Sequence, residues 1–311
     1  MPPLIEGFAD RSRAFLSVQT GCDGHCSYCL IPQTRGPSRS LTLEHVLAQA
    51  KSFLASGFRE LVLTGIDLGA WGRDLPGSTG GLASLVGEIA RLPGLDRLRL
   101  SSLDPSDLDE PLLALFADRA VLCDHLHLSI QSGDDAILAS MGRRYQRRQI
   151  LDAVGELRRL RPELILGGDF IVGFPGEDEA AFARSLDLVE RTGLLLAHVF
   201  RYSDRPGTEA ARINPSTRVP PSIMRDRSRR LRDLAAAALR TETRRWVGRR
   251  IEVLVESCAG GEAFGKSRGF LPVRFPTITE PLPGEIAEVE IVAIDPGKGG
   301  LIGRKKEIER T

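Results

Sequence analysis

The stretch that decides the fold is Thr20-Gly-Cys-Asp-Gly-His-Cys-Ser-Tyr-Cys-Leu30, in which Cys22, Cys26 and Cys29 have the spacing CxxxCxxC. Three thiolates this close together can ligate three irons of a [4Fe-4S] cube, which takes four cysteine ligands when the protein supplies them all. Because the motif offers only three, one iron keeps an open coordination position. An open position in a metal site is typical of chemistry rather than of a structural role.

Two other uses of these cysteines fit less well. A structural zinc site needs a fourth ligand, usually in C-x2-C pairs, and His25 is adjacent to Cys26 and badly placed to share a metal with it. A disulfide framework is disfavoured because the chain has 5 cysteines, an odd number, and begins with nothing resembling a secretory signal. The strand-like run Ala14-Phe-Leu-Ser-Val18 and the aromatic Tyr28 favour the cluster interpretation.

With this motif the sequence resembles the radical S-adenosylmethionine (SAM) superfamily. The resemblance implies two cofactors, a [4Fe-4S] cluster and SAM. It implies that SAM chelates the fourth iron through its amino and carboxylate groups. An electron from the cluster then splits SAM into methionine and a 5′-deoxyadenosyl radical, while the protein binds and orients the reactants.

The composition narrows the classes of protein to which this chain can belong. The chain has 311 residues, 42% of them apolar and 27% charged, which suits one large or two to three ordinary domains. It contains no uninterrupted apolar run of about 18 residues, so we expect no membrane span. Free thiols, a cluster and the absence of an export signal predict a cytoplasmic protein, which we expect to be monomeric.

The charge is unevenly distributed along the chain. The net charge is only +1, yet the segment Arg205–Arg250 holds 13 arginines, no lysine and four acidic residues, a local charge of +9. A second basic cluster is Arg143-Arg144-Tyr145-Gln146-Arg147-Arg148. Such clusters favour a polyanion such as RNA; the alternative is a solvated helix face.

Hydrophobic patterning predicts alternating strands and helices from Arg13 to about Tyr202. That alternation indicates βαβ units and a parallel sheet, with too few units for a complete eightfold barrel; on the pattern alone a doubly wound sheet is the alternative. The predicted strands are Ala14–Val18, Glu60–Thr64, Arg97–Ser101, His125–Ile130, Leu164–Val172 and Leu196–Phe200. The predicted helices are Thr42–Ser56, Leu82–Arg91, Glu110–Ala117, Arg147–Leu160 and Glu179–Thr192.

One predicted strand carries a row of polar side chains. Strand alternation places His125, His127, Ser129 and Gln131 on one face, with leucine and isoleucine on the other. A polar row facing a barrel interior is unusual for a pure core. We interpret it as facing substrate or SAM, with buried, hydrogen-bonded histidines as the alternative.

The pattern changes after Tyr202. The segment from 205 to 247 is a basic loop followed by a long predicted helix, Ser222–Val247. Short strands follow at Ile251–Glu256, Gly269–Phe275 and Glu285–Ile294, separated by glycine and proline. Such strands fit a small barrel of a class that often binds nucleic acid; a purely structural β domain is the alternative.

A closer resemblance covers nearly the whole chain. The motif around Gly21–Pro32, then Leu128-Ser-Ile-Gln-Ser-Gly133, Asp169–Glu177 and Tyr202–Thr208, look like the radical SAM methylthiotransferases. The piece from Gly248 to Gly303 resembles their RNA-binding TRAM domain. The resemblance implies a partial (β/α)6 barrel at residues 13–204 after a linker at 1–12, a basic linker and helix at 205–247, and a small all-β TRAM-like barrel at 248–311.

Two stretches suggest a branch of that family. Leu63–Gly72 and His198–Thr208 are most similar to enzymes that act on N6-threonylcarbamoyladenosine at position 37 of tRNA. Branches for isopentenyl-adenosine in tRNA and for a ribosomal-protein aspartate differ around Ile66-Asp67-Leu68. The implied product carries a methylthio group at C2 of the adenine. The implied partners are the tRNA anticodon stem-loop and a flavodoxin- or ferredoxin-like electron donor.

The resemblance also implies roles for individual residues. Cys22, Cys26 and Cys29 would ligate the cluster and be the catalytic residues. The cofactor-binding set would place Tyr28 and the Ile171–Gly173 backbone beside adenine, Thr64 and Gly65 beside the methionine part of SAM, Arg35 and Arg201 at its carboxylate or at substrate, and Gln131 in the polar row.

One departure from the family is large. Its members normally begin with a domain that holds three further cysteines and a second cluster, which handles the inserted sulfur. Here Cys123 and Cys258 match no cluster motif and are expected to be buried structural thiols. We therefore expect a truncated chain that cleaves SAM but yields little methylthiolated tRNA. A non-catalytic RNA-binding module is the rival from another class, although the intact cysteine motif argues against it.

Overall fold

The computed structural model describes residues 11–77, 80–118, 120–277, 281–295 and 299–305. Six parallel strands follow one another in chain order over the first two thirds of the chain. They are β1 (Ala14–Thr20), β3 (Glu60–Gly65), β4 (Arg97–Leu100), β5 (His125–Gln131), β6 (Ile165–Val172) and β7 (Leu196–Arg201). The short β2 (Arg39–Ser40) pairs antiparallel with the end of β1.

The parallel strands form two hydrogen-bonded groups, with the orders β2-β1-β3-β4 and β5-β6-β7. Two isolated bridges, Leu98 to Leu122 and Leu103 to Leu128, join the groups between β4 and β5. The strands therefore run in one continuous series, as expected for the partial barrel that the family resemblance implies.

Helices connect the strands, and their ends follow the capping rules. Thr42 accepts a hydrogen bond from the backbone N–H of His45, and Asp178 accepts one from Ala181, which satisfies N–H groups that a helix leaves without a partner. The helices are α1 (Ile31–Arg35), α2 (Leu43–Ala55), α3 (Gly81–Ile89), α4 (Glu110–Asp118), α5 (Asp135–Ser140), α6 (Arg147–Leu160), α7 (Glu179–Thr192) and α8 (Pro221–Thr243).

The main core lies between the strands and these helices. On β5 it takes Leu126, Leu128 and Ile130, each at most 1% exposed, and on α6 it takes Val154 and Leu157. The alternate positions on β5 form the polar row, so the predicted alternation of that strand is observed. The predicted helix Ser222–Val247 ends earlier than expected. α8 stops at Thr243, and a 3₁₀ turn follows.

The C-terminal strands close into a five-stranded barrel of order β10-β12-β11-β8-β9. Its strands are β8 (Arg250–Ala259), β9 (Glu262–Ser267), β10 (Pro272–Pro276), β11 (Ile286–Ile294) and β12 (Leu301–Arg304). The fold class is confirmed: a parallel α/β part followed by a small all-β barrel. Two strands, β9 and β12, were not predicted, because each is short and contains glycine.

The β-barrel packs against the amino-terminal ends of the parallel strands. The Phe270 ring lies 5.1 Å from the His125 ring, and the Arg99 guanidinium lies 4.8 Å above Phe270. Phe270 has a φ of 66°, so the predicted strand Gly269–Phe275 instead begins at Pro272 after a turn. This contact places the small barrel at the end of the sheet opposite the cysteine loop.

A buried ionic cluster underlies the same interface. Glu60 is fully buried and lies 3.0 Å from both Arg99 Nε and Arg13 Nε, and 3.6 Å from Arg97 Nη1. Arg13 also pairs with Glu256 of the β-barrel at 2.7 Å. Burial raises the pKa of Glu60, but Arg99, Arg13 and Arg97 outweigh it and hold the pKa below its usual range. Within the described residues, no helix has the length and apolarity needed to cross a membrane.

Candidate active site

The cysteine loop leaves the carboxyl end of β1 through a turn that only glycine fits. Gly21 has a φ of +70°, and a Cβ there would lie 2.0 Å from the carbonyl oxygen of Pro37. The N–H of Cys22 donates to the carbonyl of Gly36 at 3.1 Å, and that of Cys29 to Cys26 at 3.0 Å. These bonds fold the loop back over the strand ends.

Hydrogen-bond donors surround the three sulfur atoms. The N–H of Gly24 lies 3.2 Å from Cys22 Sγ, and that of Ile31 lies 3.4 Å from Cys29 Sγ. Arg143 Nη1 lies 3.1 Å from Cys26 Sγ. Each sulfur therefore has one donor from the chain, an arrangement that stabilises thiolates bound to metal.

All three cysteines line one cavity of about 340 Å³ at the carboxyl ends of the strands. Its other walls come from the cysteine loop, from the segments that follow β3 and β4, from β5 and from the turn before α6. The remaining lining residues are Gly24, His25, Tyr28, Ile31, Gly65, Ile66, Asp67, Leu68, Ser101, Ser102, Asp104, Asp107, Ser129, Gly142, Arg143 and Arg144. Ligand sites at this edge are typical of barrels built from βα units.

The wall formed by the segments that follow β3 and β4 is acidic, and it lies directly beside the cysteines. Burial, followed by the charges of Asp104 and Asp67, raises the pKa of Asp107 to about 6. Arg144 Nη2 lies 3.3 Å from Asp104 and 3.7 Å from Asp67. The wall thus combines carboxylates with a cation, and it can hold a ligand that carries both signs of charge.

Burial also raises the pKa of the Cys22 thiol to about 11, and Asp67 Oδ2 at 3.5 Å from the sulfur raises it further. The pKa of Tyr28 is raised mainly by burial, although the charge of Arg143 lowers it. Binding metal at Cys22 must release the thiol proton, so cluster binding is coupled to proton loss.

Six of the residues predicted from the sequence meet at this cavity: Cys22, Cys26, Cys29, Tyr28, Gly65 and Ser129 of the polar row. The cysteines and Tyr28 follow β1, Gly65 ends β3 and Ser129 lies on β5. The fold therefore brings together residues from three separate parts of the chain.

Four other predicted residues do not line this cavity. Ile171 packs in the same apolar cluster as Tyr28, and half-buried Thr64 directly precedes Gly65. Gln131 ends β5 with a φ of 64°, an uncommon conformation for a residue other than glycine. A Cβ on Gly173 would lie 2.1 Å from Met224 Cγ, so this glycine makes room for α8.

The two predicted arginines lie elsewhere. Arg35 is exposed at the end of α1. Arg201 lines a separate groove of about 680 Å³ between β7 and α8, together with Phe200, Arg225 and Arg232. Because that groove shares no lining residue with the cysteine cavity, a contact of Arg201 with the carboxylate of SAM is not supported, whereas a contact with substrate stays a prediction.

Sequence reasoning missed the acidic wall and Arg143. Asp67 and Asp104 follow predicted strand ends by a few residues, so the rule that placed Gly65 at the site could have found them. Arg143 was interpreted as part of a basic surface cluster. Its side chain is in fact only 8% exposed and is bonded to Asp104, so it is not part of a free RNA-binding surface.

The two remaining cysteines lie outside the site. Cys123 is 1% exposed, as predicted. Cys258 was also expected to be buried but is half-buried, and its thiol donates to the carbonyl of Pro281 at 3.2 Å. It lies near the end of β8 and packs against the apolar core of the small β-barrel.

The three cysteine sulfurs are not gathered around a single point. Within the described residues, the group of three potential ligands with donor atoms within 4.8 Å of one another is His127, Asp169 and His198, and the three cysteines form no such group. A single zinc ion with Zn–S bonds of about 2.3 Å would need its sulfurs closer than that. Three separated thiols that line one cavity suit ligands to three different irons of a [4Fe-4S] cluster.

Comparison with protein families gives a match over residues 16–189 to the radical SAM superfamily. The threonylcarbamoyladenosine tRNA methylthiotransferase MtaB of Rickettsia prowazekii is 38% identical over 295 residues, which cover 94% of this chain and 68% of that protein. A tRNA-2-methylthio-N(6)-dimethylallyladenosine synthase of Jannaschia sp. is 40% identical over 280 residues, covering 89% and 60%.

A second such synthase, from Sphingopyxis alaskensis, is 37% identical and covers 93% of this chain and 65% of that protein. The chain thus spans 60% to 68% of the length of these curated relatives.

Solved structures support the fold. The radical SAM methyltransferase TsrM of Kitasatospora setae matches with a TM-score of 0.54 at 21% identity, over 64% of this chain and 38% of that chain. Coproporphyrinogen III oxidase HemN of Escherichia coli matches with a TM-score of 0.54 at 14% identity, over 74% and 54%. With the family match and the curated relatives, the cysteine motif is explained: this chain belongs to the radical SAM superfamily and, within it, to the methylthiotransferase family of tRNA-modifying enzymes.

Proposed function

We propose that the chain holds a [4Fe-4S] cluster and SAM in the cysteine cavity and acts in the methylthiolation of N6-threonylcarbamoyladenosine 37 of tRNA. The observation that carries the proposal is the set of three cysteine sulfurs on one wall of a cavity at the carboxyl ends of the parallel strands. With three protein ligands, one iron stays free for SAM, whose homolytic cleavage supplies the 5′-deoxyadenosyl radical.

The chain's own residues suit the cluster. Cys22, Cys26 and Cys29 would ligate it, with Gly24 N–H and Ile31 N–H donating to two of the sulfurs. Arg143 would place a positive charge beside Cys26.

The acidic wall suits SAM. In the iron-chelating mode SAM keeps the positive charge of its sulfonium group, which Asp67 and Asp104 would favour electrostatically, and a carboxylate, for which Arg144 is the cation on the same wall. Thr64 and Gly65 would contact the methionine part of SAM. Tyr28 and the Ile171–Gly173 backbone would flank its adenine. Gln131 would lie at the end of β5, in the same sheet as Ile171.

Several features support tRNA as substrate. The relatives at 38% and 40% identity are named for tRNA modification, and the groove beside Arg201 combines the exposed aromatic Phe200 with arginines. Stacking aromatics next to cations are typical of single-stranded nucleic-acid sites. We propose that this groove and the β-barrel strands β8 to β12 contact the anticodon stem-loop. Arg35, exposed at the end of α1, would contact substrate outside the cysteine cavity.

The modified nucleoside is the finer part of the proposal. We favour N6-threonylcarbamoyladenosine because Leu63–Gly72 and His198–Thr208 are most similar to that branch. The alternative substrate is dimethylallyl-adenosine, because a relative at 40% identity is named for it. We further propose a flavodoxin- or ferredoxin-like protein as electron donor.

The test is an anaerobic reaction of reconstituted protein with SAM, dithionite and tRNA that carries threonylcarbamoyl-adenosine, dimethylallyl-adenosine or unmodified adenosine at position 37. We expect 5′-deoxyadenosine to form fastest with the threonylcarbamoyl substrate, because the matching nucleoside would close the cavity over SAM. Fastest formation with dimethylallyl-adenosine would assign the other branch. Absence of 5′-deoxyadenosine in every reaction would contradict the proposal.

The products of the same reactions should be analysed as nucleosides by mass spectrometry. Three of the 5 cysteines of this sequence are in the cluster motif, which leaves no second cysteine triplet to hold a sulfur source. We therefore expect 5′-deoxyadenosine to exceed methylthiolated nucleoside by a large factor.

A further inference from the structure

We propose that His127, Asp169 and His198 form a mononuclear binding site for a divalent first-row metal ion, distinct from the cysteine cluster. None of the three residues lines the cysteine cavity. The proposal rests on their own geometry and does not depend on radical chemistry.

The three residues come from three neighbouring strands. His127 is on β5, Asp169 on β6 and His198 on β7, and the register pairs Asp169 directly with His198 and His127 with Gly167. Gly167, the partner of His127, is two residues from Asp169 on β6, and side chains two residues apart on a strand share a face. His127 and Asp169 therefore project from the same side of the sheet. The rigid sheet, rather than a loop, sets their separation.

The distances fit one small ion. His127 Nε2 lies 3.0 Å and His198 Nδ1 lies 3.4 Å from the same oxygen, Asp169 Oδ1, and all three donor atoms lie within 4.8 Å of one another. Ligands bound at about 2.1 Å to zinc, with angles of 90° to 110°, are roughly 3.0 to 3.4 Å apart. The two measured edges fall in that interval.

A hydrogen-bonded triad does not explain the contact at His127. Its Nε2 atom is buried and has no hydrogen-bond partner, even though Asp169 Oδ1 is 3.0 Å away. The two atoms are close but not aligned as donor and acceptor. A buried nitrogen left in that state costs about 1–3 kcal/mol, whereas a metal ion between the atoms would use the lone pairs of both.

The backbone makes room for this arrangement. A Cβ on Gly167 would lie 2.5 Å from His127 Nδ1, so only glycine lets the imidazole lie flat against β6. His198 is stacked near the same ring, with centroids 4.7 Å apart. The orientation of His127 is therefore fixed by the sheet before any ion binds.

The donor set indicates the class of ion. Two imidazoles and one carboxylate are the ligands of catalytic zinc sites and of mononuclear non-haem iron sites, and both leave coordination positions open. The His198 side chain is 64% exposed, so an ion has a path from solvent. The open positions would face outward from the sheet, where an oxygen of a bound substrate could complete the coordination.

The test uses the full chain with Cys22→Ser, Cys26→Ser and Cys29→Ser combined, so that no cluster or thiol site competes, and without a polyhistidine tag. After chelation of residual metal, the protein is dialysed against Zn²⁺ and its zinc content measured. We expect about one zinc per chain. Replacing His198 by Ala or Asp169 by Asn should weaken zinc binding by at least about a hundredfold, since even outer-shell changes cost 10- to 100-fold.

His25→Ala is the matched control, because His25 is an exposed histidine beside the cysteines and should leave zinc binding unchanged. His127→Ala is a further variant, but its loss of a largely buried side chain can prevent folding. His198→Ala keeps the test valid in that case, because His198 is exposed. Circular dichroism checks the fold of each variant. Binding of less than one-tenth of a zinc per chain, or equal binding by His198→Ala and Asp169→Asn, would overturn the proposal.

Discussion

Arg143 links Cys26 to the acidic wall through a single guanidinium group. Its Nη1 lies 3.1 Å from Cys26 Sγ and its Nη2 is bonded to Asp104. The aromatic ring of Tyr145 lies 5.0 Å below the same group, and the side chain is 8% exposed. A buried cation is thus held at a fixed distance from one of the sulfurs that would ligate the cluster.

The first prediction follows from this contact. Hydrogen bonds and charge near the ligand sulfurs set the potential of an iron–sulfur cluster, and a cation favours the reduced state, which carries more negative charge. Arg143→Gln should therefore lower the reduction potential. A loss of about 1.4 kcal/mol corresponds to roughly 60 mV for one electron. Anaerobic redox titration followed by electron paramagnetic resonance measures the shift.

Arg148→Gln provides the control for that titration. Arg148 is 89% exposed on α6 and pairs only with Asp152, at 3.6 Å, as far as the described residues show. Its loss removes the same charge from the chain but not from the cavity. Equal shifts in both variants would mean that net charge, not the contact with Cys26, sets the potential.

The second prediction concerns the cluster itself. Cys22→Ala, Cys26→Ala or Cys29→Ala should each abolish iron–sulfur absorption after anaerobic reconstitution, whereas the unmodified chain should bind about four irons. Cys123→Ala and Cys258→Ala should retain the cluster, because neither sulfur lines the cavity. Stoichiometric zinc bound at the cysteines, without iron–sulfur absorption, would show that the site is structural.

Much of the fold could be predicted from periodicity. Every predicted parallel strand is present within two residues at each end, because apolar runs bounded by turns leave little freedom in a buried sheet. The strands β9 and β12 were missed because pairing across a closed barrel, not local sequence, makes them strands. The end of α8 at Thr243 was missed because Arg244 and Arg245, which follow it, favour helix.

The residues of the site likewise fall into those that local sequence marks and those that only tertiary packing places. The cysteines and Gly65 could be placed because a motif or a strand end marks them. Arg143 could not, since a run of arginines predicts a solvated surface, and only the turn before α6 points this one inward. The groove beside Arg201 depends on the packing of α8 against β7, a contact between segments that no local pattern specifies.

The third prediction concerns the ionic cluster at the base of the sheet. Glu60→Gln would leave Arg97 and Arg99, which are 0% and 4% exposed, without their buried counter-charge. Breaking a buried ion pair in this way costs about 3–5 kcal/mol. Denaturant unfolding monitored by circular dichroism should show that loss. Glu256→Gln, at the partly exposed end of the same cluster, should cost less than 1 kcal/mol by comparison with surface pairs.

The same carboxylate gives a dependence on pH. The pKa of Glu60 is lower in the folded chain than in the unfolded chain, so its contribution is fully present above the unfolded pKa of about 4.3 and is lost as the pH falls through the folded value. Unfolding measured from pH 6 downwards should therefore show a steeper loss of stability in the natural chain than in Glu60→Gln. Parallel curves would contradict this role.

The fourth prediction concerns the groove between β7 and α8 as an RNA contact. Arg225 and Arg232 line it, and within the described part of the chain neither forms an ion pair, whereas Arg229 on the same helix is held 2.5 Å from Asp226 and 3.3 Å from Asp233. An arginine already neutralised by carboxylates releases few counterions on binding phosphate. Arg225 and Arg232, which form no ion pair within the described residues, can release their counterions when they bind phosphate.

Arg225→Ala combined with Arg232→Ala should therefore weaken binding to the anticodon stem-loop and flatten its dependence on salt. Two lost phosphate contacts correspond to a change of roughly 1.4 to 1.8 in the slope of log affinity against log salt concentration. Arg229→Ala should leave the slope unchanged, and Phe200→Ala should cost about 1–3 kcal/mol of binding with no change in slope, because stacking is not ionic. Fluorescence anisotropy between 50 and roughly 200 mM salt measures all three. If the double variant kept the natural slope, the RNA would have to bind elsewhere on the chain.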